Sequence, residues 1–294
     1  MSQGAIKFNP DIHKKIDINS DISGFTKLTT MLKKDTGINI VLSDKNKTLV
    51  SSRLNKILIK YNLNSYSEYA DFIKKSGPKY YNEFINCLTT NTTHFFREEK
   101  HFTFLDQYVK SAEFLDHLNK AGGTRIWCSA SSYGHEVYTI LMTLLNSSTF
   151  SPGNLDIKML ATDIDDRVLA VAAEGEYEEA QVKGVPKYLL TNYFDKKKDG
   201  DKVSYRAKDL MANRVTFAKF NLLSPEYPFK NKFDLVFCRN VLIYFDQNDI
   251  NYAVSKMTDN LRIGGLLFVG HSESGNIHDQ RLQKVTFGVY KRIN

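Results

Sequence analysis

The stretch TRIWCSASSYGHEVYTILMTLL, Thr124 to Leu145, decides how the larger part of this chain folds. TRIWC is a short β-like run, SASSYGHE a small and polar loop, and VYTILMTLL an apolar helix. A strand feeding a helix through so short a loop is half of a βαβ unit, and such units build parallel sheets. The alternation continues downstream. IKMLATDID reads as a strand, DRVLAVAAE as a helix, FDLVFC as a fully buried strand, AVSKMTDNLRIGG as a helix ending on paired glycines, and LLFVG as another strand. VTFGVYKRI then closes the chain as one antiparallel edge strand. The expected fold class is α/β, a doubly wound sheet. Residues 188–219, with a KKKDGDK turn between short alternating runs, read as a small antiparallel β-subdomain inserted into it.

Upstream of Gly122 and Gly123 the pattern is helical. Phe25, Leu28, Met31 and Leu32 recur at helical spacing, as do Leu54, Ile57, Leu58 and Tyr61. This divides the 294 residues into a helical domain over 1–88 and a sheet domain over 89–294. The formal charge of +7 sits almost wholly in the first: residues 1–85 hold 14 Lys/Arg against 8 Asp/Glu, the remainder 26 against 25. Such asymmetry suits an acidic partner, whether nucleic acid, membrane surface or protein face, although a solvated lysine surface gives the same balance. Arg53, Lys56 and Lys60 stand three and four apart and form a basic stripe, a candidate docking face. Cys87, Cys128 and Cys238 are odd in number, widely spaced and in apolar surroundings, which suits reduced thiols in a cytoplasmic protein. No run reaches the length of a membrane span, and MSQGAIKFNPDIHKK lacks the apolar core of a signal peptide.

Between the domains lies NTTHFFREEKHF, Asn91 to Phe102. One reading is an amphipathic helix start, with Asn91 or Thr92 as cap and Phe95, Phe96, Phe102 and Leu105 as buried stripe. The other has Arg97 and the Asn and Thr side chains facing a ligand while the phenylalanines anchor them.

In a doubly wound sheet ligands bind outside the carboxyl ends of the strands, where the strand order reverses. The first strand ends at Cys128 and leads to Gly134 and Glu136; the second ends at Asp163. An acid there can hold ribose hydroxyls, or it can cap the helix DRVLAVAAE. The loop has one glycine and fails the G-x-G-x-x-G pattern, so a nucleoside without a diphosphate fits better. Arg239, Asn240 and Tyr244 follow the apolar strand FDLVFC, where polar groups need partners; they line a cleft or cap a helix. Asn221, after another short strand, is a candidate of the same kind. The seven histidines show no helix-spaced pair or Cys/His grouping, so no metal site is expected, and His94 and His101 are expected at the surface or cleft edge. No G-x-S-x-G elbow and no Walker loop is present.

Together NTTHFFRE, RIWCSASSYGHEVYT, ATDID, FCRNVLIYFD and LLFVGHSES, in this order and spacing, resemble the CheR-type chemoreceptor glutamate methyltransferases. The resemblance covers nearly the whole chain, since GINI and SSRLNKIL also look like that family's N-terminal domain. It implies a class I S-adenosylmethionine-dependent methyltransferase, Rossmann-like, with a small all-helical N-terminal domain. It further implies methyl transfer to glutamate side chains on the cytoplasmic helical bundle of methyl-accepting chemoreceptors, giving glutamate methyl esters and S-adenosylhomocysteine. Asn91, Thr93 and Arg97 match the family's cofactor-binding positions, with Glu136 and Asp163 at the loop and ribose places. Asn221 and Leu222 match the segment near the adenine, and Cys238, Arg239, Asn240 and Tyr244 match the cleft after the fourth strand. Arg97 and Tyr244 are the residues expected to orient carboxylate or cofactor, because an ionised glutamate needs alignment and desolvation more than a base. Two departures stand out: Tyr133 and His135 replace small or acidic loop residues, and KKKDG lacks the Gly-x-Gly turn of members that tether to a receptor pentapeptide. A monomer without that tether and without membrane insertion is expected.

Two other readings share the sheet. A nucleic-acid methyltransferase would use the basic domain on phosphates, but the aromatic and basic interleaving of an RNA surface is not evident. A non-catalytic S-adenosylmethionine sensor would keep Glu136 and Asp163 while losing Arg97, Asn240 and Tyr244, which are present.

Overall fold

The computed structural model describes residues 16–40, 44–150 and 156–294, so the stretch MSQGAIKFNPDIHKK lies outside the described residues. The chain divides into two compact units, Met1–Thr90 and Asn91–Asn294.

The first unit contains α1 (Ile22–Thr36), α2 (Asp44–Tyr61), α3 (Tyr66–Ser76) and α4 (Pro78–Leu88). Local sequence sets where they start and stop. One oxygen of Asp21 accepts the Gly24 N–H at 2.9 Å and caps α1, while the other takes the Ser67 N–H at 2.8 Å, tying the first turns of α1 and α3 together. Pro78 opens α4, where its missing N–H leaves no bond unmade. Phe25, Leu28, Leu54, Leu58, Tyr69 and Phe84 are buried between the helices. Each such side chain contributes about 1.5–3 kcal/mol.

The basic stripe on α2 is not one surface. Arg53 donates to the carbonyl oxygens of Leu88 at 3.0 Å and Thr89 at 2.9 Å, closing the end of α4. Helical spacing put Arg53 beside Lys56, but it could not show carbonyls more than thirty residues on. Lys56 is exposed, and Lys60 pairs with Glu83 at 2.6 Å.

The second unit opens with α5 (Lys100–Val109) and α6 (Ala112–Ala121), followed by β1 (Gly123–Cys128), α7 (His135–Asn146), β2 (Asp156–Asp163) and α8 (Asp166–Glu174). Next come β3 (Glu176–Glu178), α9 (Lys187–Tyr193), β4 (Phe194–Asp199), β5 (Lys202–Ala207), α10 (Asp209–Ala212) and β6 (Val215–Lys219). The chain ends with β7 (Phe233–Cys238), α11 (Gln247–Asn260), β8 (Leu261–Val269), β9 (Leu282–Thr286) and β10 (Val289–Arg292). The larger sheet has the order β6-β2-β1-β7-β8-β10-β9. It is parallel from β6 to β8, and β10 and β9 add to it antiparallel. Period two sorts its side chains onto two buried faces. Ile126, Leu235 and Phe237 pack on one, and Trp127, Val236 and Cys238 on the other. Both faces being covered explains why FDLVFC shows no polar alternation apart from Asp234.

Three boundaries differ from the sequence reading. The small sheet, of order β3-β5-β4, draws its first strand from Glu176–Glu178, while β6 belongs to the larger sheet, so the insertion does not coincide with 188–219. α11 stops at Asn260, and Gly264 and Gly265 lie within β8, where the register with β7 shifts. Gly264 has φ of 78°, so the glycines serve a bulge rather than a helix cap. The last strand is a hairpin of two, β9 and β10.

Candidate active site

In the larger sheet β2 lies on one side of β1 and β7 on the other, so the strand order reverses at β1. The carboxyl ends of these strands border the crevice where this fold class takes its ligand. Glu136 stands in the first turn of α7, just past the loop after β1, Asp163 ends β2, and Arg239 and Asn240 follow β7. The tight β1–α7 loop depends on Gly134, with φ of 84°. A Cβ there would come within 2.9 Å of that of Ala172.

Residues 91–99 are not the start of a helix: α5 begins at Lys100, and no side chain caps it. Instead this segment is stitched to the loops around the crevice. The Asn91 side chain donates to Asp165 Oδ2 at 3.0 Å, and its carbonyl accepts the Ser132 hydroxyl at 3.0 Å. The Phe96 N–H donates to Thr139 Oγ1 at 3.3 Å, and the Arg97 carbonyl accepts from the Arg239 guanidinium. Arg97 itself donates to the Thr92 carbonyl at 2.8 Å. Of the five non-glycine residues with positive φ among the described residues, Phe96, Glu98, Ser132 and Asn240 belong to these segments. Each left-handed residue costs about 1–3 kcal/mol, and such strain gathers where the surroundings enforce a functional geometry.

Asp163 does not cap α8; Asp165 does, accepting the Arg167 N–H at 3.0 Å. Asp163 accepts the Ser132 N–H at 2.8 Å and the Asp165 N–H at 3.0 Å, one on each oxygen. Each oxygen keeps a lone-pair direction for a hydroxyl donor. Burial pushes the Asp163 carboxyl above its ordinary value in spite of these bonds.

Arg239 is the centre of a buried ion cluster. Its side chain is fully enclosed: one nitrogen bonds Glu136 Oε2, another bonds Glu98 Oε2 at 3.0 Å, and the guanidinium lies 5.3 Å from the centre of the Phe102 ring. It is therefore a positioning residue: both terminal nitrogens are taken by protein groups, while the buried Nε has no hydrogen-bond partner. Burial alone pushes Glu98 up, but bonds from Asn240 Nδ2 at 3.1 Å and from Arg239 outweigh it and leave the carboxyl below its ordinary value. Asn240 also gives its N–H to Glu273 Oε2 at 2.9 Å.

The remaining predicted residues divide. Thr93 and Tyr244 are half-buried, and Tyr244 lies in the short 3-10 turn after β7. Asn221 Oδ1 accepts the Leu223 N–H at 2.9 Å and shapes the turn after β6, while Leu222 is buried. Cys238 is fully buried in the apolar cluster that also holds Trp127, and burial drives its thiol well above the ordinary value. His101, expected at the surface or cleft edge, is buried against Glu98, and His94 is exposed. Glu98, Asp165 and Glu273 are the residues the sequence reading missed. Glu98 and Glu273 stood inside quoted motifs, NTTHFFRE and LLFVGHSES, and Asp165 follows two residues after Asp163. Their partners, separated by up to 173 positions, were the absent signal.

The doubly wound sheet with an acid at the end of β2 and a single glycine in the β1–α7 loop suits a nucleoside-type ligand. The chain belongs to the CheR methyltransferase family. Residues 91–290 match its SAM binding domain and residues 23–89 its all-alpha domain. It is 36% identical over 291 residues to the chemotaxis protein methyltransferase of Borreliella burgdorferi, covering 98% of this chain and 99% of that one. It is 35% identical over 253 residues to the chemotaxis protein methyltransferase of Escherichia coli K12, covering 85% and 84%. Its cofactor is S-adenosylmethionine, a cation at sulfur, and the cluster fits that charge. Glu98 and Glu136 surround the single cation Arg239, leaving one negative charge in excess beside the crevice.

Proposed function

We propose that this chain transfers the methyl group of S-adenosylmethionine to glutamate side chains on the helical signalling region of chemoreceptors. The excess carboxylate of the Glu98–Arg239–Glu136 cluster, at the same carboxyl end of the sheet as Asp163 on β2, carries this reading, and the names of the relatives supply the substrate class. The cofactor supplies a methyl group already activated on a sulfonium. Asp163 holds the ribose hydroxyls. Glu98 fixes Arg239 and Asn240, so the turn after β7 is set before the cofactor arrives and little reorganisation remains. Arg97 and Tyr244 line up the incoming carboxylate, and Asn91, Thr93, Asn221 and Leu222 wall the cofactor. A substrate glutamate is ionised near neutral pH, so no side chain here has to accept a proton.

On the helical unit, Lys56 and Lys60 offer exposed positive charge to acidic receptor helices, through screened and individually weak contacts. The β4–β5 turn is Gly200–Asp201, and Lys196, Lys197, Lys198 and Asp199 lie on β4 itself, paired in register with β5. With a single glycine there, receptor engagement proceeds without a C-terminal peptide tether. A filter assay with labelled cofactor, offering receptor signalling fragments and RNA in parallel, tests the reading. Label on the receptor fragment alone supports it; label on RNA overturns it.

A further inference from the structure

Beside the crevice, Glu98, His101 and His271 bring one carboxylate and two imidazoles together. His101 Nδ1 lies 3.6 Å from Glu98 Oε2, and His271 Nε2 lies 3.9 Å from it. One donor atom from each of the three falls within 4.8 Å of the others.

The His101 ring is 2% exposed, and its Nε2 faces the Phe287 carbonyl oxygen at 3.1 Å. A carbonyl only accepts, so Nε2 carries the proton and Nδ1 presents a lone pair. That lone pair has no hydrogen-bond partner, and it faces a carboxylate oxygen, which is also an acceptor. Two acceptors turned toward each other in a buried place call for something positive between them. An imidazole whose far N–H is anchored on a backbone carbonyl is also the arrangement that metal-bound histidines adopt.

We propose that Glu98, His101 and His271 form a binding site for Zn2+ or a similar divalent transition-metal ion. A set of two nitrogens and one oxygen suits zinc, whereas Mg2+ and Ca2+ take oxygen ligands. Zinc–donor lengths of about 2.0–2.2 Å put tetrahedral ligands roughly 3.3–3.5 Å apart. The two separations from Glu98 Oε2, 3.6 and 3.9 Å, are within about half an ångström of this, while the group as a whole spans up to 4.8 Å, so the imidazole of His271 has to move inward to complete the site. His271, with 34% of its side chain exposed, has the freedom to do so and leaves solvent access to a fourth position. Glu98 Oε2 accepts from Arg239 at 3.0 Å and shares the His271 N–H with Oε1, each at 3.2 Å; with that N–H kept on Oε1, the second lone-pair direction of Oε2 faces the metal, and Glu136 offsets the guanidinium charge. Once filled, the site clamps the head of α5 to the turn after β8. No metal motif announces it, because the donors come from positions 98, 101 and 271.

Calorimetric titration of Zn2+ alone into the metal-free full chain, with Co2+ followed by visible absorption, tests the proposal. One equivalent of Zn2+ and the intense absorption of low-coordinate cobalt are expected, with no heat from Mg2+. His271→Gln, at a part-exposed position that circular dichroism can show to be folded, weakens binding about tenfold or more, whereas His278→Gln on the exposed surface leaves it unchanged. Failure to bind Zn2+, or binding equally strong in His271→Gln, overturns it.

Discussion

Strand β7 carries a buried ion cluster at each end, and the two are built with opposite signs. At its start Asp234 is held by Arg262 Nε and His117 Nε2, both at 2.5 Å, and by the Arg125 N–H at 2.7 Å. Past its end Arg239 is held by Glu98 and Glu136. The first cluster gathers donors around one acid and closes its charge locally. The second gathers acids around one cation and leaves a carboxylate in excess, at the end of the sheet that borders the crevice. A buried ion network thus marks a ligand site by its place and its imbalance, not by its existence.

The largest effect that can break this comparison is on stability. Arg239→Ala leaves two carboxylates facing each other without their cation, which costs about 3–5 kcal/mol in chemical unfolding. Arg262→Ala leaves Asp234 with His117 and a backbone N–H, and so costs less, about 1–2 kcal/mol. Equal losses would mean that the two clusters are equivalent.

Ligand binding sharpens it next. Asp163→Ala weakens S-adenosylhomocysteine by about 2–4 kcal/mol in calorimetry, through two lost charge-assisted bonds. Asp234→Asn lowers the unfolding midpoint while leaving that affinity unchanged. A smaller effect follows from pH. Glu98 has its folded value below its ordinary one, so its stabilisation is present above the unfolded value and is lost as pH falls through the folded value. Glu98→Gln therefore flattens the acid limb of the stability curve. Smallest is the exposed face: Lys56→Glu with Lys60→Glu raises the Michaelis constant for receptor at low salt and leaves cofactor affinity alone. Receptor C-terminal peptides show no specific binding to either form.

What the sequence made legible were features carried by short-range pattern. The strand–loop–helix of Thr124 to Leu145 and the buried run FDLVFC gave the sheet, and the acid after the second strand gave Asp163 its place. What stayed hidden depends on partners far along the chain. Arg53 looked like surface charge until the end of α4 accepted its protons. Glu98 stood next to the chosen Arg97 without notice, because Asn240 and His271 define its role. Residues 91–99 carried a helical hydrophobic pattern, yet bonds to the surrounding loops and left-handed φ angles at Phe96 and Glu98 outweighed it.

The chemical nature of the product tests the central claim most directly. A receptor signalling fragment is incubated with this chain and methyl-labelled S-adenosylmethionine, then mapped by mass spectrometry before and after mild alkali. The account predicts methyl groups on glutamate residues that alkali releases as methanol, as esters do. Alkali-stable label, or label on residues other than glutamate, would contradict it.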